Sequence, residues 1–159
     1  MGSEKIMEQS KDKHGSCVAP VQDNLKFNAD FETADRICCF NRHYAEYAGY
    51  SFTEEHNSWI DEVRTNFEKN GKPTTFYDSV TGKPLYKAPV GRSVAEFISE
   101  SRAHGWPSFR DKEVVWDYVR VLKDGEAVSV DGTHLGHNLP DSKGNRHCIN
   151  LVSIAGNPK

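Results

Sequence analysis

Three polar residues spaced two apart near the end of the chain, Arg146, Cys148 and Asn150, give the first sign of chemistry. The stretch "RHCINLVSI" around them is rich in residues that favour strands, and alternate residues of a strand share a face. One face would then carry Arg146, Cys148, Asn150 and Val152, and the other His147, Ile149 and Leu151. A cation two residues from a thiol favours the thiolate, which is the nucleophilic form. An amide two residues beyond can hold a polar ligand or a water. The same residues also fit a plain strand end with a buried cysteine and an exposed arginine, because free cysteine is among the most buried residue types.

Two further stretches carry chemistry-bearing side chains. "HLGH" supplies His134 and His137, which suit acid/base work or donation to a substrate oxygen. They are also metal-ligand types, although two histidines without cysteine partners make a weak zinc pattern, and surface histidines at a turn fit equally. "GWPSF" sets Trp106 between Gly105 and Pro107. An indole on a turn offers an apolar wall to a methyl or thioether group, or packs a loop onto a sheet.

The elements that must position these groups follow from periodicity and punctuation. Asn28 as a cap, then Phe31, Ala34, Ile37 and Cys38 at helical spacing, predict a first helix. Ser51 with Glu54 forms a capping box for a second, whose apolar stripe is Trp59, Ile60, Val63 and Phe67, with Gly71 as its stop. "TTFYDSV" and "LYKAPV" predict two strands. Ser93 with Glu96 opens a short helix bearing Val94, Phe97 and Ile98. "EVVWDYVRVL" predicts a long strand. Asp124-Gly125 and Asp131-Gly132 predict hairpin turns on either side of "AVSV". The C-terminal half is thereby expected to be an antiparallel β domain preceded by helices. Residues 1–25, polar and without periodicity, are expected as a flexible tail on a single domain spanning 26–159, helical over 28–70 and β-rich over 74–159.

Composition excludes several classes. With 159 residues the chain suits one domain with a core, and a net charge of −3 without a basic block argues against nucleic acid as a partner. No apolar run reaches the length of a membrane span, and the N-terminus lacks the apolar stretch of a secretory signal. The four cysteines, Cys17, Cys38, Cys39 and Cys148, include no CxxC pair and suggest no disulfide framework. A reducing compartment is therefore expected, the cytoplasm in the simplest case, with an organelle left open.

In this order, "GWPSF", "HLGHNLPD" and "RHCIN" resemble the signature of the B-type methionine sulfoxide reductases, which reduce the R epimer of methionine sulfoxide. The resemblance is specific over 105–154 and extends weakly to "YDSVTGKPLY"; residues 1–70 show none. It implies a mainly β fold, with a twisted, barrel-like antiparallel core and helices at the N-terminus. It implies that Cys148 attacks the sulfoxide sulfur, with Arg146 and Asn150 flanking it. His134 and His137 would hold and protonate the oxygen, and Asp141 would hold Arg146. Trp106, with Phe109 of the same motif, would bind the substrate. The product on Cys148 would be a sulfenic acid, recycled by thioredoxin or a similar dithiol.

Two departures from that family bear on the expectations. Many members bind a structural zinc through two CxxC pairs, whose places here look like Asp78, Thr81, Val128 and Asp131, so no structural metal is expected. The usual position of a resolving cysteine is His104, which leaves Cys38, Cys39 or Cys17, or direct attack by the reductant. The segment "KAPVGRSVAEFISESRA" (87–103) is unusual and is expected to cover the pocket. The resemblance thus points to a monomeric protein-repair enzyme acting on oxidised proteins or peptides, or on the free amino acid. Rival readings are a non-catalytic metal-binding or interaction module and a thiol sensor of peroxide on the same fold.

Overall fold

The computed structural model describes residues 17–27, 29–40 and 58–158. Helix α1 (Phe31–Asp35) is capped by Asp30, whose carboxylate accepts the Thr33 N–H at 2.9 Å, and it runs into a π-helical turn, Arg36–Phe40. The cap therefore falls two residues later than the Asn28 predicted from spacing. The Ser51–Glu54 capping box lies outside the described residues. Helix α2 (Ser58–Asn70) buries Trp59, Ile60 and Val63, the predicted stripe, and leaves Phe67 37% exposed at its end. Gly71 stops it at φ 63°, a value that glycine reaches without steric cost.

Strands β1 (Thr74–Tyr77) and β2 (Pro84–Ala88) form an antiparallel pair. Helix α3 (Val94–His104) follows, with the Ser93–Glu96 capping box formed in both directions and Gly105 closing it at φ 77°. A second sheet is built from β3 (Ser108–Phe109), β4 (Val119–Val121), β5 (Glu126–Ser129), β6 (His134–Asn138) and β7 (His147–Ile149). Their order is β3-β7-β6-β5-β4, with every neighbouring pair antiparallel. Both predicted Asp-Gly turns join consecutive strands of this sheet.

The main core lies where the helices meet the sheets. Phe109 sits at its centre, stacked on Tyr86 with ring centroids 4.4 Å apart and within 5.4 Å of both Phe76 and Phe97. Trp59 reaches the same cluster from α2, edge-on to Phe76 and Phe97. Burying aromatic side chains of this size contributes about 1.5–3 kcal/mol each. A second cluster joins Cys17, Val21, Ala34, Ile37, Cys38 and Cys39 to Val80 and Val152.

Several expectations change. The antiparallel sheets and the helices are present, but the α-helices hold more residues than the strands, so the fold is mixed rather than mainly β, and neither sheet closes into a barrel among the described residues. The "EVVWDYVRVL" stretch is a strand only over Val119–Val121; before it, Glu113 ends a 3-10 turn, Asp111–Glu113, Val114 forms an isolated bridge to Tyr86, and the Tyr118 N–H turns back to Val115 O at 3.0 Å. The final strand also stops early, after Ile149, and continues as a 3-10 turn, Leu151–Ile154. Residues 17–25, expected within a flexible tail, are packed: Cys17 and Val21 are buried, and the Gln22 N–H donates to Ser79 O at 2.8 Å.

The cysteine reading is also corrected. Cys17 and Cys39 form a disulfide, while Cys38 and Cys148 are free. Spacing alone does not reveal that pair: Cys39 is outside the predicted stripe of Phe31, Ala34, Ile37 and Cys38, yet it lies in the π turn and is buried. No helix among the described residues is long and apolar enough to cross a membrane.

Candidate functional site

The strand pairings build the site around Cys148. In β7, Cys148 stands opposite Ser108 of β3 on one side and His137 of β6 on the other. Cross-strand partners point to the same face, so these three side chains share a side of the sheet. Next to them opens a cavity of about 420 Å³, lined by Trp106, His134, Gly136, His137, Leu139, Cys148 and Asn150.

A β-bulge explains how both histidines reach it. In a regular strand, residues three apart point to opposite faces. Along β5 and β6, Glu126 faces His137 and Ala127 faces Gly136, but Val128 faces His134. The register slips by one, so Leu135 is an extra residue in β6, which resets the alternation. His134 and His137 then lie on one side with ring centroids 6.0 Å apart. Asn150 holds the bulge, since its backbone N–H and its side-chain Nδ2 both donate to Leu135 O, at 2.8 and 2.9 Å. The Ser153 hydroxyl donates to His134 O at 2.8 Å. Asn150 is thus a structural pin of the site as well as part of its wall.

Gly136 is required by the same packing. A Cβ there would lie 2.1 Å from Cys148 O and 2.9 Å from Ile149 Cα. Any side chain would force β6 and β7 apart where His137 meets Cys148. A glycine inside a strand pattern signals a close backbone approach, and "HLGH" carried that signal unread.

The electrostatics run against the simplest expectation. Cys148 is half-buried, and burial pushes its thiol up to about 11, while the charge of Arg146 and a hydrogen bond from it pull down by less. The predicted cation acts in the predicted direction and is outweighed by desolvation. Arg146 itself is buried, with Nε and Nη1 lacking hydrogen-bond partners. Its Nε lies 3.8 Å from Asp141 Oδ2.

Asp141 is held mainly by a different arginine. Arg110 grips both of its oxygens at 3.0 Å, and this bidentate contact holds the Asp141 carboxyl well below its ordinary value. Arg110 also bonds Glu100, which pairs with Arg92 at 2.8 Å. A chain of alternating charges therefore runs from α3 to the loop before Cys148. On the far face of β7, His147 Nε2 lies 2.8 Å from Asp111 Oδ1; burial holds this imidazole below its ordinary value despite that contact.

Cys148, His134, His137, Asn150 and Trp106 all line the cavity. Phe109 does not: its neighbour Ser108 faces Cys148, so Phe109 points the other way, into the aromatic core. Of the proposed resolving thiols, Cys17 and Cys39 are joined to each other. Cys38 is wholly buried with its thiol 3.6 Å from Ser153 Oγ, and burial pushes that thiol far above its ordinary value. The 87–103 segment does not line the cavity. Its helix instead walls a separate charged groove of about 780 Å³ with residues 110–112 and 143–145.

The four positions matching the family's zinc cysteines are accounted for by other contacts. Asp78 is buried and accepts from the Thr133 hydroxyl at 3.0 Å and the Val80 N–H at 2.8 Å. Asp131 pairs with Lys83 at 2.9 Å. The Thr81 hydroxyl accepts from the Lys83 N–H at 3.2 Å, and Val128 is fully buried in β5. Hydrogen bonds and an ion pair thus join the 78–83 and 129–133 turns. Among the described residues no three His, Cys, Asp or Glu side chains are grouped to hold a metal ion.

Sequence reasoning passed over Glu126, which is buried at the start of β5 with Oε2 3.0 Å from His134 Nδ1. A lone carboxylate heading the strand Glu126–Ser129 was its only signal. In comparison with known proteins, the sequence matches no protein-family profile and no curated protein.

Proposed function

We propose that the chain reduces methionine-(R)-sulfoxide, in proteins, peptides or the free amino acid, in the manner of the B-type methionine sulfoxide reductases it resembles. The observation that supports this most is the meeting of a thiol, two imidazoles and an indole in one cavity. A sulfoxide needs each of them. Cys148 attacks the sulfur, His134 and His137 supply protons to the departing oxygen, and Trp106 offers an apolar wall to the methyl group.

The balance is simple. Cys148 bonds the substrate sulfur as the sulfoxide oxygen, protonated by the histidines, leaves as water; a water then attacks the Cys148 sulfur and breaks that sulfur–sulfur bond, so methionine leaves, a proton is returned and the thiol has become a sulfenic acid. Burial pushes the Cys148 thiol up to about 11, so little of it is thiolate at pH 7, and in this reading protonation of the sulfoxide oxygen shares the work of activation. Because Cys38 is buried and Cys17 is joined to Cys39, the reading favours recycling by an external dithiol such as thioredoxin. One thiol attacks the sulfenic sulfur, releasing water, and the second thiol then frees Cys148 as the dithiol becomes a disulfide.

The test is turnover of the separated R and S epimers of a blocked methionine sulfoxide, driven by dithiothreitol and, in parallel, by thioredoxin with its reductase and NADPH. Turnover of the R epimer alone is expected. No turnover of either epimer with either reductant would discard the enzyme reading and bring the interaction-module reading forward.

A further inference from the structure

We infer that Glu126 is a positioning residue for His134, fixing the imidazole with Nδ1–H toward its carboxylate and Nε2 as the atom that exchanges a proton with oxygen bound in the cavity. The inference rests on the proposed reduction and adds to it the orientation of the proton donor.

Three observations carry it. First, the carboxylate is almost fully enclosed, at 5% exposure, and the imidazole completely so. A buried carboxylate costs several kcal/mol unless it is paired, so this contact is not incidental. Second, the geometry is that of a hydrogen bond, 3.0 Å between Glu126 Oε2 and His134 Nδ1. Third, the bulge makes the contact reach the working face. Glu126 stands opposite His137 and shares its side of the sheet, and the extra residue Leu135 brings His134 to that side as well.

The consequence follows from the ring. An imidazole has two nitrogens, and the partner of one decides the state of the other. A carboxylate on Nδ1 fixes the ring orientation and stabilises the imidazolium that must exist before a proton is given up. Carboxylate–histidine pairs act this way when they set the tautomer of a working histidine. His137 and Cys148 border the same cavity, so the test must read His134 by itself.

The experiment is NMR of the 15N-labelled imidazole of His134 in the wild-type chain, with steady-state turnover of wild type and Glu126→Gln. The expected wild-type spectrum shows a protonated Nδ1 with its proton shifted downfield by the carboxylate. A neutral His134 protonated on Nε2 with a bare Nδ1 would overturn the inference, whatever the enzyme turns over. Glu126→Gln keeps the shape and removes the charge. It is expected to lower kcat about 10–100-fold, with KM little changed and the downfield proton lost. A merely structural role would alter stability and leave that signature and the kcat-to-KM split untouched. Wild-type kcat in a folded Glu126→Gln would overturn the positioning role. A wild type without turnover would overturn the reduction, while the wild-type spectrum still decides the orientation.

Discussion

The two ends of the chain hold its cysteines in opposite settings. Cys148 sits in a strand at the edge of a cavity, with a guanidinium in contact and an imidazole across the sheet. Cys17, Cys38 and Cys39 sit in an apolar cluster with Val21, Ala34, Ile37, Val80 and Val152. Burial raises the thiol in both places. Among the described residues, the cation Arg146 pulls the Cys148 thiol back, whereas the charges acting on Cys38, Asp78 and Asp35, push its thiol further up; Cys148 also lines a cavity. The difference shows that a cysteine's role here is set by what its sulfur meets.

The sharpest way to break this comparison is to substitute one free thiol from each region. Cys148→Ser is expected to abolish sulfoxide turnover with the fold intact. Cys38→Ser is expected to retain turnover and to lose about 1–3 kcal/mol of stability, since a hydroxyl replaces a thiol in an apolar enclosure. Turnover assays with denaturant melts on both variants check this. Turnover by Cys148→Ser would sink the assignment of the nucleophile, and a dead but folded Cys38→Ser would erase the division between the regions.

The second-largest effect concerns the disulfide. Cys17 and Cys39 close a loop with a sequence separation of 22 residues. A cross-link of this size is worth about 3 kcal/mol, chiefly by restricting the unfolded chain. The pair Cys17→Ser with Cys39→Ser is expected to lower the melting temperature by several degrees and to leave turnover intact below it. A parallel loss of activity in the folded double variant would mean that the helical region feeds the site after all.

How far these regions were legible differs for physical reasons. Period-two reading placed Cys148 and Asn150 together, and local motifs placed His134, His137 and Trp106 at the same cavity. The bulge at Leu135 was not legible, because it arises from the Asn150 contacts made across two strands. Phe109 was misplaced because a two-residue strand alternates immediately after Ser108, and the motif conceals which of the two faces the thiol. The Cys17–Cys39 pair depends on a π turn that a 3.6-residue period does not anticipate. The strands of the "EVVWDYVRVL" and "RHCINLVSI" stretches were over-extended, since the turn from Val115 to Tyr118 and the Leu151–Ile154 turn interrupt patterns that apolar residues alone suggest. The motif residues were legible because each motif lies within a few residues, while pairing partners such as Glu126 and Arg110 come from other parts of the chain.

The smallest predicted effect tests the cation that separates the two settings. Burial is the largest cause acting on Cys148, and Arg146 opposes it by charge and by a hydrogen bond. Arg146→Met should therefore move the midpoint of Cys148 alkylation upward from about 11. The direction for stability follows from proton binding. A thiol titrating at about 11 when folded and at roughly 8.5 when unfolded holds its proton more tightly in the folded chain. It contributes stability that is fully present below roughly pH 8.5 and is lost as pH rises toward 11. Removing the arginine raises the upper limit of that window and leaves the lower one where it was. The measurement is the rate of iodoacetamide labelling at Cys148 against pH, read by peptide mass to keep it apart from Cys38. An unmoved or lowered midpoint would take the electrostatic role from Arg146, and Cys148 would then differ from Cys38 by access to the cavity alone.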